Sequence, residues 1–113
     1  MQVADLTGTQ LDHWVAQAEG IEVKYSAAME QWRVMGEPTE IWWEPHRNWA
    51  QAGPIIEREG IGFFRAQTPC PEYGDEAWVA SDAHDAFTCR GNTPLVAALR
   101  AFVASRFGMA VSD

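Results

Sequence analysis

The stretch that decides the fold is residues 91–108, with the sequence GNTPLVAALRAFVASRFG. Asn92 or Thr93 can cap a helix N-terminus, and Pro94 suits the first helical position. Gly108 suits a left-handed helix stop. The apolar residues between them recur at the three- and four-residue spacing of one helix face: Leu95, Val96, Leu99, Phe102, Val103 and Phe107. The pattern predicts a core-building amphipathic helix over residues 93–108.

A second amphipathic helix is predicted over residues 6–20. Thr7 followed by Gln10 is a possible capping box, and Gly20 ends the helix. One apolar stripe is formed by Leu11, Trp14, Val15 and Ala18. The residues expected on the opposite, water-facing side are Asp12, His13, Gln17 and Glu19. In a chain this short, both helices are expected to pack into the same core.

Between these helices, several short runs alternate apolar and polar residues, which is typical of half-buried strands. The predicted strands are residues 21–25, 31–35, 41–43, 61–65, 77–80 and, as a last extended piece, 87–89. The first two are expected to form a hairpin. We also predict a turn at residues 49–51, capped by Asn48, and then a short helix at residues 55–59, begun by Gly53-Pro54.

The fold class expected from these elements is α+β. A small antiparallel sheet packs against the N- and C-terminal amphipathic helices, with one short central helix. No βαβ alternation occurs, because the strands sit together between the helices. The length of 113 residues fits a single domain, residues 1–113.

The formal net charge is −8 and unevenly distributed, since residues 1–46 hold eight acids and two bases. Phosphate contacts need clustered Lys and Arg, so no direct nucleic-acid binding is expected. An acidic surface could instead imitate nucleic acid and occupy a basic partner. The alternative is that this charge only maintains solubility.

The two cysteines, Cys70 and Cys89, have neither metal-knuckle nor redox spacing. The N-terminus lacks the features of a secretory signal, and no run is long enough to cross a membrane. We therefore expect a cytoplasmic protein with two reduced thiols that are not bonded to each other. No metal, cofactor or catalytic residue is predicted.

Trp42, Trp43 and Trp49 lie in one eight-residue window that also holds His46 and Arg47. Trp and Arg are frequent interface anchors, so the window is a possible recognition patch. The alternative is that these rings fill the core of a small domain. Neighbouring residues of a strand face opposite ways, so Trp42 and Trp43 cannot share one environment.

The candidate binding residues are Trp49, Gln51, Glu57 and Arg58. They occupy a segment with large aromatic and charged side chains beside chain breakers, which is typical of recognition loops. Consecutive helical residues point about 100° apart, so Glu57, Arg58 and Glu59 cannot all face one pocket. An ion pair is therefore the alternative role for Arg58.

Three blocks of the sequence, in this order, resemble the NinX-like family of small phage and prophage proteins. They are residues 6–8 with 11–20 (LTG and LDHWVAQAEG), 48–61 (NWAQAGPIIEREGI) and 93–108 (TPLVAALRAFVASRFG). Where the family commonly has Gly-Gly-Pro, this chain has Ala52-Gly53-Pro54. The resemblance implies a phage or prophage origin and one domain, and it supplies no catalytic residue.

The function expected from all this is that of a phage accessory protein that is not an enzyme and binds another protein, either a host or a phage protein. Two alternatives stay open. One is an acidic decoy that inhibits a basic nucleic-acid-binding host factor. The other is a small enzyme whose site is assembled from scattered polar residues.

Overall fold

The computed structural model describes residues 1–66 and 76–112. A 3-10 helix at Val3–Asp5 precedes the α-helices, which are α1 (Gly8–Glu19), α2 (Trp49–Glu59) and α3 (Pro94–Phe107). The strands are β1 (Val23–Ser26), β2 (Gln31–Val34), β3 (Trp42–Trp43), β4 (Gly62–Arg65), β5 (Trp78–Ser81) and β6 (Thr88–Gly91).

The strands form two antiparallel three-stranded sheets, β1-β2-β3 and β4-β5-β6. In the first sheet Tyr25 pairs with Trp32, and Trp32 pairs with Trp43. In the second, β5 is central, between β4 and β6. The α+β class is confirmed, but the strands divide between two sheets rather than forming one. Helix α2 separates the sheets along the chain.

Helix α3 is the centre of the core, and both predicted terminal helices contribute to it. Every residue from Leu95 to Ala104 is buried, so α3 has no polar face and the amphipathic prediction is wrong for it. The reason is that α3 packs against β5 and β6 and also against α1 and α2. Only the two ends of α3 reach water: Pro94 is partly exposed, and Phe107 is exposed.

Arg100 is the one charged side chain inside the buried part of α3, with an exposed fraction of 3%. Its Nε donates to the Leu6 carbonyl at 3.0 Å, and one terminal nitrogen donates to the Arg90 carbonyl at 2.7 Å. The same nitrogen lies 2.5 Å from a carboxylate oxygen of Glu76. Arg100 thus connects α3 to the chain before α1 and to β6.

Helix α1 is amphipathic as predicted, and Gly20 ends it in the left-handed conformation with φ of 72°. Thr7 occupies the N-cap position, but its side chain makes no capping hydrogen bond, so the predicted capping box does not form. Asp12 is fully buried. Its predicted exposure to water is therefore wrong.

Helix α2 is continuous from Trp49 to Glu59, which corrects the predicted turn and separate short helix. Asn48 caps it, since its side-chain oxygen accepts from the Ala50 amide at 2.9 Å. Pro54 lies inside the helix and cannot donate to the Ala50 carbonyl. Both residues are exposed, so water can hydrate that carbonyl. Ala52 is fully buried on the opposite side.

Cys89 is buried, and this burial raises the pKa of its thiol to about 11. Cys70 lies outside the described residues, so the absence of a bond between the two stays a prediction. Within residues 1–66 and 76–112, no helix combines the length and apolar character needed to cross a membrane.

Candidate functional site

Trp49, the first of the predicted site residues, is 50% exposed at the start of α2. Its ring centroid lies 6.0 Å from that of Phe63 on β4. The Phe63 ring in turn lies 6.2 Å from Trp78 on β5. Trp49 is therefore an accessible aromatic at the margin of the second sheet.

Gln51 uses both ends of its side-chain amide inside the protein. Its oxygen accepts from the Glu44 amide at 2.8 Å, and its nitrogen donates to the Trp42 carbonyl at 2.7 Å. These two bonds fix the chain that connects β3 to α2. The side chain of Gln51 holds this connection together.

Arg58 donates to two carboxylates, those of Glu19 on α1 and Glu59 on α2. These charge-assisted bonds raise the pKa of its guanidinium further above its already high value. Arg58 lies nine positions after Trp49, and at about 100° per residue the two project from opposite sides of α2. Glu57 is exposed on the same helix. The structure therefore does not bring the four predicted residues together.

The two tryptophans of β3 differ in burial, as expected for neighbouring residues of a strand. Trp43 is 7% exposed, and its indole nitrogen donates to the Asp12 carbonyl at 2.9 Å. Trp42 is partly exposed, and its carbonyl accepts from Gln51. Trp43 is thus a core residue that anchors the first sheet to α1.

Asp12 forms a buried acid–imidazole pair with His46. Its two carboxylate oxygens accept from the His46 backbone amide at 2.9 Å and contact the His46 Nδ1 at 2.6 Å. Burial raises the Asp12 pKa to about 6, and the hydrogen bonds and charge of His46 oppose that rise. The Asp12 side chain has no exposed surface, so a substrate cannot reach it without a local opening.

An aromatic cleft lies between α1 and the β1–β2 hairpin, and its volume is about 620 Å³. We call this groove the aromatic cleft. The residues that line it are Thr9, Gln10, His13, Trp14, Tyr25, Trp32 and Ser112. The volume falls within the range of about 300–1,000 Å³ that is typical of ligand sites. It is an open groove on the surface, bounded by aromatic side chains from α1, β1 and β2.

The rings of the cleft form a continuous row. His13 and Trp32 are tilted by 31° with centroids 4.9 Å apart. Trp14 stands at 80° to His13, and Tyr25 stands at 67° to Trp32. The row continues behind the cleft, because Trp14 meets Phe107 at 5.5 Å. Two ring pairs are nearly perpendicular, Trp14 with His13 and Tyr25 with Trp32. We call each of these pairs a corner of the cleft, because its two rings form two adjoining walls.

Hydrogen bonds fix one ring of the cleft and leave other polar groups available. The Trp32 indole nitrogen donates to the Thr9 carbonyl at 2.7 Å, which ties β2 to the start of α1. His13 Nδ1 is buried, and no described atom is its hydrogen-bond partner. Such a group is uncommon in a folded protein.

The sequence holds the aromatic residues of this cleft, but the helical pattern did not indicate that they lie together. His13 and Trp14 are adjacent on α1, and the sequence pattern assigned one to water and the other to the core. Both instead lie at the boundary and are partly buried. The alternation in residues 31–35 placed Trp32 on a definite strand face but could not show that this face meets α1.

Among the described residues, no group of three or more His, Cys, Asp and Glu side chains is arranged to hold a metal ion. The aromatic cleft itself contains no charged side chain when His13 is neutral. Its chemistry is therefore stacking, apolar contact and neutral hydrogen bonding.

Residues 2–106 match a family model that carries the description "Bacteriophage P22, NinX". No curated protein matches the chain. The matched range includes α1, α2, all of α3 except its last residue, all six strands and six of the seven residues that line the aromatic cleft. The chain therefore belongs to the bacteriophage P22 NinX family and is a phage protein.

Proposed function

We propose that this phage protein is a binding domain that is not an enzyme and contacts a host or phage protein in the infected cell's cytoplasm. The observation that carries the proposal is the aromatic cleft, where Trp14, Tyr25 and Trp32 line one open groove. Trp and Tyr are enriched among residues that dominate binding energy, because they bury large surfaces at low entropic cost.

The geometry of the cleft suits recognition better than core packing. Tyr25 is 44% exposed although it lies against Trp32, and a ring that only filled the core would be enclosed. The rings are held from behind, since Trp32 is bonded to Thr9 and Trp14 rests on Phe107. A surface whose rings are fixed before binding loses less entropy when a partner docks.

The competing proposal is an enzyme, and the Asp12–His46 pair is where its acid–base chemistry would lie. A catalytic base must come within hydrogen-bond reach of its substrate. Asp12 has no exposed surface, and neither side chain lines the aromatic cleft. We therefore assign this pair to structure and the cleft to binding.

Trp49 is the second surface on which a partner could dock, as the sequence suggested. It is exposed and carries an aromatic neighbour, Phe63. Gln51 and Arg58 are engaged within the protein. The cleft offers four aromatic rings on one groove, so we place the primary contact there.

Site-specific photo-crosslinking in phage-infected cells tests the proposal. A photoreactive amino acid replaces Gln10 at the cleft, Trp49 at the second surface, or the exposed Glu37 as a control. We expect a discrete protein adduct from position 10 that disappears when Tyr25→Ala is added. An adduct from position 49 alone would move the site to the second surface, and the absence of a protein adduct from both positions would overturn the proposal.

A further inference from the structure

We propose that the aromatic cleft binds a proline-rich segment of the partner protein, in the polyproline II conformation and with basic residues beside the prolines. This inference rests on the proposed binding function and names the chemistry of its ligand. Three features of the cleft support it: the spacing of its corners, its available hydrogen-bond donors and its charge.

The centroid distances of the rings set an upper limit on the separation of the two corners, and this limit accommodates the repeat of a polyproline II helix. The two corners, Trp14 with His13 and Trp32 with Tyr25, lie along one row whose centroid steps are 5.4, 4.9 and 5.1 Å. The midpoints of the corners are therefore at most about 10 Å apart, and a polyproline II helix repeats every three residues, or about 9 Å. Two prolyl rings on one side of such a helix can each occupy one corner.

The cleft also offers hydrogen-bond donors to the backbone carbonyl groups of a polyproline II ligand. A polyproline II chain has no internal hydrogen bonds, so its carbonyl oxygens are free to accept. Among the described residues, no partner is bonded to the Trp14 indole N–H, the Tyr25 hydroxyl or the Gln10 side-chain amide. The Trp32 indole N–H is already bonded to Thr9, so Trp32 contributes its ring.

The charge of the protein near the cleft indicates which residues should flank the prolines of the ligand. The lining has no Arg or Lys to recognise phosphate or carboxylate groups. Residues 1–46, which supply six of the seven lining residues, hold eight acids and two bases. The net negative charge of this part of the chain attracts a basic partner and repels an acidic one. Prolyl segments flanked by Arg or Lys are thus favoured over neutral or acidic ones.

The test is a titration of the isotope-labelled protein with blocked oligoproline peptides. One peptide carries Arg at both ends, a second carries Glu at both ends, and a third has Arg ends with Ala replacing the prolines. We expect the Arg-ended oligoproline to shift the indole N–H resonances of Trp14 and Trp32. The other two peptides should bind at least about tenfold more weakly.

Matched variants locate the contact. Tyr25→Ala should weaken binding about tenfold, the equivalent of about 1.4 kcal/mol, because it removes one wall of a corner. Trp49→Ala removes an aromatic of similar exposure and should leave affinity within about twofold. Gln10→Arg places a charge at the rim of the cleft without touching the core and should also weaken binding. Each variant is first checked for an unchanged unfolding midpoint.

Several results would overturn the inference. These are no resonance shift with the Arg-ended oligoproline, equal binding by the Ala-containing or Glu-ended peptide, or loss of binding in Trp49→Ala alone. If the peptides fail while the position-10 crosslink persists, the binding function stands and only the ligand chemistry is wrong. If both fail, the function falls as well.

Discussion

The Asp12 carboxylate and the His46 Nδ1 lie 2.6 Å apart, although 34 positions separate the two residues in the chain. This contact closes the loop that contains the whole first sheet, because β1, β2 and β3 all lie between the two residues. Asp12 also accepts from the His46 amide through its side chain and from the Trp43 indole through its carbonyl. One position on α1 therefore anchors the last strand of the sheet and the segment that follows it.

Burial of Asp12 predicts a pH-dependent stability. Its pKa of about 6 in the folded protein exceeds the ordinary 3.8, so the folded state binds the proton more tightly. The free energy of unfolding therefore falls as pH rises from about 4 to about 6, and it levels off above that range. Relative to Asp12→Asn, the wild type should lose about 2–3 kcal/mol across this range, as measured by urea unfolding at each pH.

Asn is the informative replacement because it stays neutral and keeps an oxygen to accept from the His46 amide. His46→Gln in both backgrounds shows how much of the Asp12 pH dependence relies on its contact with the imidazole. A wild-type stability that runs parallel to that of Asp12→Asn from pH 4 to 7 would contradict this assignment.

The sequence predicted the positions of the two terminal helices well because the signals for their ends are local. Capping by Thr93, a stop at Gly20 and the spacing of apolar residues depend on neighbours within a few positions. The burial of Asp12 depends on His46, which only the tertiary fold brings near. The residues next to Asp12 in the sequence give no indication that a distant imidazole packs against its carboxylate.

The same distinction explains the candidate site. Residues 48–59 were predicted to hold a binding site because Trp, Gln and Arg are close in sequence. In the continuous helix α2, however, Trp49 and Arg58 project from opposite sides. The aromatic cleft combines residues of α1, β1 and β2 with Ser112. A site built from several elements leaves no single motif in the sequence.

Arg100 should be among the most sensitive positions in the chain. Arg100→Met fills similar volume but removes the hydrogen bonds that Arg100 donates to the Leu6 and Arg90 carbonyls. We expect a loss of about 2–4 kcal/mol in the free energy of unfolding, measured by denaturant titration. Arg106→Met is the control, because Arg106 is exposed and pairs with Glu59 at the surface, and it should cost less than about 1 kcal/mol. Equal effects of the two changes would mean that Arg100's bonds contribute no more than a surface pair.

Gly91 should tolerate no side chain, because β6 approaches α3 closely there. A Cβ at this position would lie 2.5 Å from the Ala97 backbone nitrogen and 3.1 Å from the Ala97 Cα. Helix backbone cannot move aside cheaply, so Gly91→Ala should lower the free energy of unfolding by about 1–3 kcal/mol. Thermal or denaturant unfolding measures the change.

Gly62→Ala is the matched control for Gly91→Ala. Gly62 lies on β4, and a Cβ there would meet no atom within 4 Å. Replacing glycine by alanine where the backbone accepts alanine without strain should stabilise the protein by about 0.4–1 kcal/mol. The two substitutions are chemically identical, so opposite signs would isolate the close approach at Gly91. A stabilising Gly91→Ala would show that the strand can shift away from α3.

His13 gives the last prediction, because its ring belongs to the aromatic cleft while its Nδ1 is buried without a described partner. His13→Phe keeps a flat ring between Trp14 and Trp32 and removes the unpaired nitrogen, whose burial costs about 1–3 kcal/mol. We expect equal or higher stability, whereas His13→Ala should be destabilised because it loses both ring contacts. Denaturant unfolding of the two variants measures this difference. If His13→Phe proves as unstable as His13→Ala, the nitrogen must have a bonding partner in solution, and the ring is then held by a hydrogen bond as well as by stacking.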